Sequence, residues 1–137
     1  MPDIAISSDI IVGFPGETAK DFKDTERFIK QMKFSRLHVF PFSAHEKTPA
    51  AKFPNHVNGK IKARRAKILR SLSLRMAENY KKKFKGRELE IVVERIKHGR
   101  IIGKTEFYFD VEVADRQANS KASARAKLSG EMVKVKV

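Results

Sequence analysis

Ser8-Asp9-Ile10-Ile11-Val12-Gly13-Phe14-Pro15-Gly16-Glu17-Thr18 decides how the chain must be read. From Ile4 to Val12 the residues are mostly apolar and often β-branched, the composition of a strand buried on both faces in a parallel sheet. The run ends abruptly at Gly13-Phe14-Pro15-Gly16, residues that turn a chain rather than extend it. Thr18 followed three residues later by Asp21 has the spacing of a capping box, so a helix is predicted from about Ala19. Phe22, Thr25, Phe28, Ile29 and Met32 then recur three or four apart, giving that helix one apolar face to lay on the sheet. Leu37 to Phe42 reads as a second strand. Strand, helix and strand of this length predict a right-handed βαβ unit.

Past this unit, Ser43 to Gly59 holds Pro49, Pro54, Asn55 and Asn58 and reads as a loop. Lys60 to about Phe84 lacks glycine and proline, and Ile61, Ala66, Leu69, Leu72, Met76, Tyr80 and Phe84 keep a helical repeat. A long amphipathic helix is predicted, with Arg64, Lys67, Arg70, Arg75, Lys81 and Lys82 on its other faces and Gly86 as its C-cap. From Arg87 to Val137 the pattern alternates as strands do, with Gly99, Gly103 and Gly130 at turns and one strand-like run from Lys104 to Val113. Asp115 to Ala126 reads as a loop. Four or five short strands escape exposed edges by closing on themselves, so a small barrel of oligonucleotide-binding type is expected. The expected sections are residues 1–59, 60–85 and 86–137.

Charge separates these sections as sharply as pattern does. Residues 1–51 carry seven basic and seven acidic side chains, whereas 52–87 carry thirteen basic side chains against the single acid Glu78. Most of the net charge of +14 therefore sits in one helix-forming stretch, which a polyanion would neutralise. A solvated lysine-rich face accounts for such a stretch equally well. No apolar run is long enough to span a bilayer, and no signal pattern opens the chain, so a soluble, cytoplasmic protein is expected. With no cysteine, this chain alone can hold neither a thiolate-ligated zinc nor an iron-sulfur cluster. His38, His45, His56 and His98 have no metal-ligand spacing.

The eleven residues Ser8 to Thr18, with Asp21-Phe22 after them, are similar to the fifth-strand motif of radical-SAM methylthiotransferases. Leu37-His38-Val39-Phe40-Pro41-Phe42-Ser43 resembles the sixth strand of the same barrel, in the wording of the subgroup that acts on threonylcarbamoyladenosine in tRNA. The segment from Gly86, with Gly103-Lys104-Thr105-Glu106-Phe107-Tyr108, resembles the TRAM domain, a small RNA-binding β-barrel. One loop departs from the family: His45 and Lys47 precede Thr48-Pro49-Ala50, where Arg and Gly are usual. The resemblance implies an α/β plus all-β chain: the terminal βαβ part of a radical-SAM βα barrel, a long basic helix, then an OB-like TRAM barrel. It implies S-adenosylmethionine and iron-sulfur clusters in the intact parent, none of them bound by this chain alone, which lacks every cluster cysteine as well as the parent's N-terminal cluster domain and other barrel strands and is expected to be inactive. Because Met1-Pro2-Asp3 leads straight into a barrel strand, a truncated polypeptide is expected, with open parallel edges available for self-association.

Alternation puts Ser7, Asp9, Ile11 and Gly13 on one strand face, and the resemblance points that face into the barrel. There Ile11 could pack on the cofactor's adenine, Asp9 could accept hydrogen bonds and Gly13 could admit close backbone approach. Pattern alone fits a core Ile11, a turn-forming Gly13 and a capping Asp9. For RNA, the candidates are Arg64, Arg70, Lys81 and Lys82 on the helix and Arg100, Lys104 and Tyr108 in the terminal section. Tyr108 is singled out because Phe107, Tyr108 and Phe109 are consecutive and a strand cannot bury all three. Glu17 could bind a ligand amine, or sit at the helix start for dipole reasons alone. The partner implied is the anticodon arm of tRNA, with no membrane involved. The rival reading is a stand-alone basic nucleic-acid-binding module without catalysis.

Overall fold

A computed structural model of the chain describes residues 3–114 and 130–137. β1 (Ser7–Val12) and β2 (Arg36–Pro41) pair in parallel, joined by α1 (Ala19–Met32), which is the predicted βαβ unit. The α1 start is held by the expected box: the Asp21 backbone N–H donates to the Thr18 hydroxyl at 3.2 Å, and the Thr18 backbone N–H donates to the Asp21 carboxylate at 2.8 Å. A short 3-10 turn (Pro49–Lys52) interrupts the following loop before α2 (Gly59–Lys82) begins. α2 ends two residues earlier than the apolar repeat suggested, and Gly86 is not its cap. Gly86 instead donates its backbone N–H to the Val137 carbonyl.

The chain divides into two compact units, Ile6–Tyr80 and the described residues before and after it. In the first, Val12 of β1, Leu37 and Val39 of β2, Phe22 and Ile29 of α1, and Ala66, Leu69 and Leu72 of α2 form one buried cluster. Both helices thus cover the same side of the two-stranded sheet. The expectation of a strand buried on both faces fails for β1, whose burial alternates along its length. Among the described residues only β2 pairs with it. α2 also seals the far edge of β2: the Ser73 hydroxyl accepts from the Leu37 N–H at 3.0 Å, and Arg70 Nη2 donates to the Val39 carbonyl at 3.1 Å.

The second unit is a curled antiparallel half-barrel, compatible with an OB-like domain. Its strands are β3 (Glu88–Lys97), β4 (Arg100–Thr105), β5 (Asp110–Ala114) and β6 (Met132–Lys136), in the order β5-β4-β3-β6. Leu89, Ile91, Val93, Ile101, Val111, Val113, Val133 and Val135 point to the buried side, with Phe84 fully enclosed beside them. Two expectations are corrected here. Gly103 lies inside β4 rather than at a turn, and a Cβ there would stand 2.5 Å from the Val92 carbonyl oxygen. The absent side chain permits close strand approach beside the bulge between Val93 and Arg95. The run Lys104 to Val113 is not one strand, because Glu106, Phe107 and Tyr108 form a turn in which Tyr108 has φ +60° and donates its N–H to the Thr105 carbonyl. The predicted loop Asp115 to Ala126 lies outside the described residues.

Hydrogen bonds from the Thr18 hydroxyl and backbone N–H hold the Asp21 carboxyl below its ordinary pKa of 3.8. A depressed folded-state pKa stabilises above the unfolded value and is lost as the proton returns. The capping contribution is therefore full at neutral pH and fades as pH falls below 3.8 through the folded-state value. Urea unfolding followed from pH 6 to pH 2.5 is expected to show a shallower acid loss for Asp21→Asn than for the unaltered chain.

Candidate ligand face and nucleic-acid interface

In the parallel register Ser7 lies beside Arg36, Asp9 beside His38 and Ile11 beside Phe40. Strand alternation brings all six to the face that the helices do not cover. All are exposed, Ile11 at 58% and Phe40 at 50%. A carboxylate and an imidazole side by side, followed by an apolar pair, suit a ligand with one polar end and one flat apolar end. Asp9 and Ile11 are thus brought together on one open face, and His38 and Phe40 join them. Sequence reasoning passed over His38 and Phe40, although strand pairing of the two quoted motifs was enough to find them.

Gly13 takes the turn-forming role that pattern alone suggested. It is buried with φ +73°, and a Cβ placed there would meet Lys62 Cγ at 2.3 Å. The close approach that glycine permits is made by the Lys62 stem, whose Nζ donates to the Phe42 carbonyl at 2.9 Å. Glu17 is likewise engaged: its Oε2 accepts the Gly13 N–H at 2.7 Å, and its Oε1 accepts from Arg65 Nη1. Arg65 Nη1 also reaches the Glu17 carbonyl at 3.1 Å. The ligand amine imagined for Glu17 is the guanidinium of Arg65, at 9% side-chain exposure. Arg65 is four residues before Leu69, on the buried stripe, and that spacing was its one sequence signal.

The basic candidates separate by what they touch. Arg64, Lys67 and Arg75 are exposed on α2, three positions that share a helical face. Arg70 is exposed but directs its guanidinium to the β2 edge. Lys82 is exposed and Lys81 half-buried. On the outer face of the half-barrel, Arg100 pairs with Glu112 at 2.7 Å and Lys104 with Asp110 at 3.1 Å. Tyr108 is 78% exposed, as expected, whereas Phe107 and Phe109 pack on Phe84 at ring separations of 4.5 and 5.2 Å. The turn rather than strand alternation is what separates the three rings. Among the described residues no three His, Cys, Asp or Glu side chains gather as a metal site, and no helix is long and apolar enough to cross a membrane.

No family model matches the chain. Curated proteins do. The threonylcarbamoyladenosine tRNA methylthiotransferase MtaB of Bacillus subtilis is 40% identical over 81% of the chain and 26% of its own length. A ribosomal protein uS12 methylthiotransferase RimO from Lachnoclostridium phytofermentans is 35% identical over 100% of the chain and 31% of its own length. The tRNA-2-methylthio-N(6)-dimethylallyladenosine synthase of Aquifex aeolicus is 35% identical over 98% of the chain and 29% of its own length. The chain therefore spans less than a third of the relatives it matches.

Removing one partner of a buried ion pair leaves the other charge desolvated, at a cost of about 3–5 kcal/mol. Arg65→Met is expected to lose stability of that order in urea unfolding. The double change Arg65→Met with Glu17→Gln is expected to recover part of the loss. Equal stability of Arg65→Met and the unaltered chain would show that the pair holds nothing in place.

Proposed function

The chain belongs, along its whole length, to the methylthiotransferase family, and on that premise we propose that it is the tRNA-gripping C-terminal part of such an enzyme. The substrate of the parent is then a modified adenosine beside the anticodon, met in the cytoplasm. The observation that carries this reading is the open row Asp9–His38 and Ile11–Phe40 on a sheet whose other face carries the buried Val12, Leu37 and Val39. An exposed Ile and Phe on a strand face need a cover, and the second edge of β1 has no strand partner among the described residues. Further barrel strands would supply both.

S-adenosylmethionine held on that face would supply the radical chemistry, which belongs to the cofactor and not to these side chains. Asp9 would accept hydrogen bonds from its polar groups, and Ile11 would pack against its adenine. Gly13 fits less well, since Lys62 fills the space beside it. A chain without cysteine offers no thiolate for an iron-sulfur cluster, so cluster ligation falls to other parts of the parent. For tRNA, the exposed Arg64, Lys67 and Arg75 provide a line of cations along one face of α2. The rival reading, a free-standing nucleic-acid module, leaves the open row and the whole-length similarity without a reason.

Filter binding of an unmodified tRNA transcript over a salt series tests the grip. Affinity should fall steeply with salt, by a slope of about 0.7 to 0.9 per phosphate contacted. The triple change Arg64→Glu, Lys67→Glu and Arg75→Glu should lower that slope by roughly 2 to 3, for the same reason. A salt-independent affinity, or a slope that ignores the three changes, refutes the proposal.

A further inference from the structure

One flank of α1 lies bare beside an unpaired strand edge. With about 100° of turn per residue, Thr25, Phe28 and Met32 fall on one side of the buried Ile29, and Glu26 and Lys30 fall on the other. Phe28 is 55% and Met32 47% exposed, although both belong to the apolar stripe of the helix. The two flanks face different neighbours. α2 bonds the outer edge of β2 through Ser73 and Arg70, and a right-handed crossover sets α1 over β1 and β2 with α2 beyond it. Glu26 and Lys30 therefore lie on the side of α2, whereas Phe28 and Met32 lie over the second edge of β1. That edge has no strand partner among the described residues. Ile6, just before β1 and on the helix-covered side by alternation, is 46% exposed and continues the same apolar strip.

Charge selects the occupant. Residues 1–51 carry seven basic and seven acidic side chains, and on α1 Asp24 bonds Arg27 at 3.1 Å while Glu26 bonds Lys30 at 2.5 Å. This flank therefore offers no excess of cations to a polyanion. A second copy fits it by two-fold symmetry: each β1 edge meets an identical edge, antiparallel, and one apolar flank meets the other. Because a crossover helix sits over the strand pair it joins, the two α1 axes come about two strand spacings apart, roughly 10 Å, which is helix-packing distance. The same symmetry keeps the basic stretches apart. The two α2 helices seal the outermost edges of the resulting four-stranded sheet, about 14 Å or more from each other and beyond a Debye length of about 8 Å. We propose that the chain forms a two-fold dimer through the second edge of β1 and the Phe28–Met32 flank of α1. In a longer parent the strands proposed above would take that edge; the chain by itself takes another copy. The dimer uses none of the α2 cations assigned to tRNA.

Sedimentation of the whole chain over a rising concentration series, without tRNA, is expected to reach the mass of two chains. Added salt should strengthen the dimer, because it screens the repulsion between two chains of net charge +14. That sign is opposite to the one expected for tRNA. The double change Phe28→Glu with Met32→Glu should weaken association about tenfold or more, whereas Phe28→Leu with Met32→Leu should keep it. Both positions are exposed, so the circular dichroism spectrum should not change in either variant. Amide hydrogen exchange on the peptide spanning β1 should slow as the unaltered chain dimerises, a measure that needs no variant. A monomer at every concentration, a dimer indifferent to the two glutamates, a dimer without added protection in β1, or association that salt weakens overturns the inference.

Discussion

A guanidinium and a carboxylate taken out of water together hold the first unit in its arrangement. Arg65 lies on the buried stripe of α2, and Glu17 sits in the turn that follows β1. Glu17 spends one oxygen on Arg65 and the other on the Gly13 N–H, so helix, turn and strand end are joined by a single side chain. A buried pair of this kind adds little net stability compared with apolar packing, but it tolerates very few alternative geometries. Here it ties the turn that follows β1 to α2. Lys62 reinforces it by laying its stem into the space that Gly13 leaves empty.

From that arrangement the functional division of the sheet follows. The turn, α1 and α2 all occupy one side of β1 and β2, where Val12, Leu37 and Val39 are buried. Ser73 and Arg70 satisfy backbone groups along the outer edge of β2, so that edge offers little to another strand. Among the described residues, what stays open is the opposite face and the second edge of β1. Gly13, Glu17 and Arg70 are thereby committed to architecture, while Asp9 and Ile11 keep their side chains available.

The second unit shows how cross-strand pairing can cancel charge that composition alone advertises. Arg100 and Lys104 are neutralised by Glu112 and Asp110 on the neighbouring strand. Exposed pairs like these contribute little to stability. They do alter what the surface attracts. Tyr108 projects beside this face from a turn whose left-handed backbone no alternation rule anticipates, while Phe107 and Phe109 close over Phe84. The exposed ring therefore shares a groove with Glu106 and with Lys104, whose ammonium is already paired with Asp110.

Local rules were sufficient wherever the deciding forces act between near neighbours. The capping box at Thr18 and Asp21, the start of α1, the parallel pairing of two apolar runs and the length of α2 are set by hydrogen bonds and periodicity within a few turns, so the residues announce them. The alternation that put Asp9 and Ile11 on one face of β1 was legible for the same reason, and so was the exposure of Tyr108, though through another mechanism. What a side chain meets across the fold was not legible. Forty-eight residues separate Arg65 from Glu17, and a single sequence gives no distance between them. Cross-strand carboxylates beside Arg100 and Lys104, and the Lys62 stem over Gly13, are likewise contacts that only folding brings about. Pattern named the elements and the candidate face; tertiary contact decided which charged groups were free to meet a ligand, because Coulomb and desolvation energies depend on through-space separation and burial, not on order along the chain.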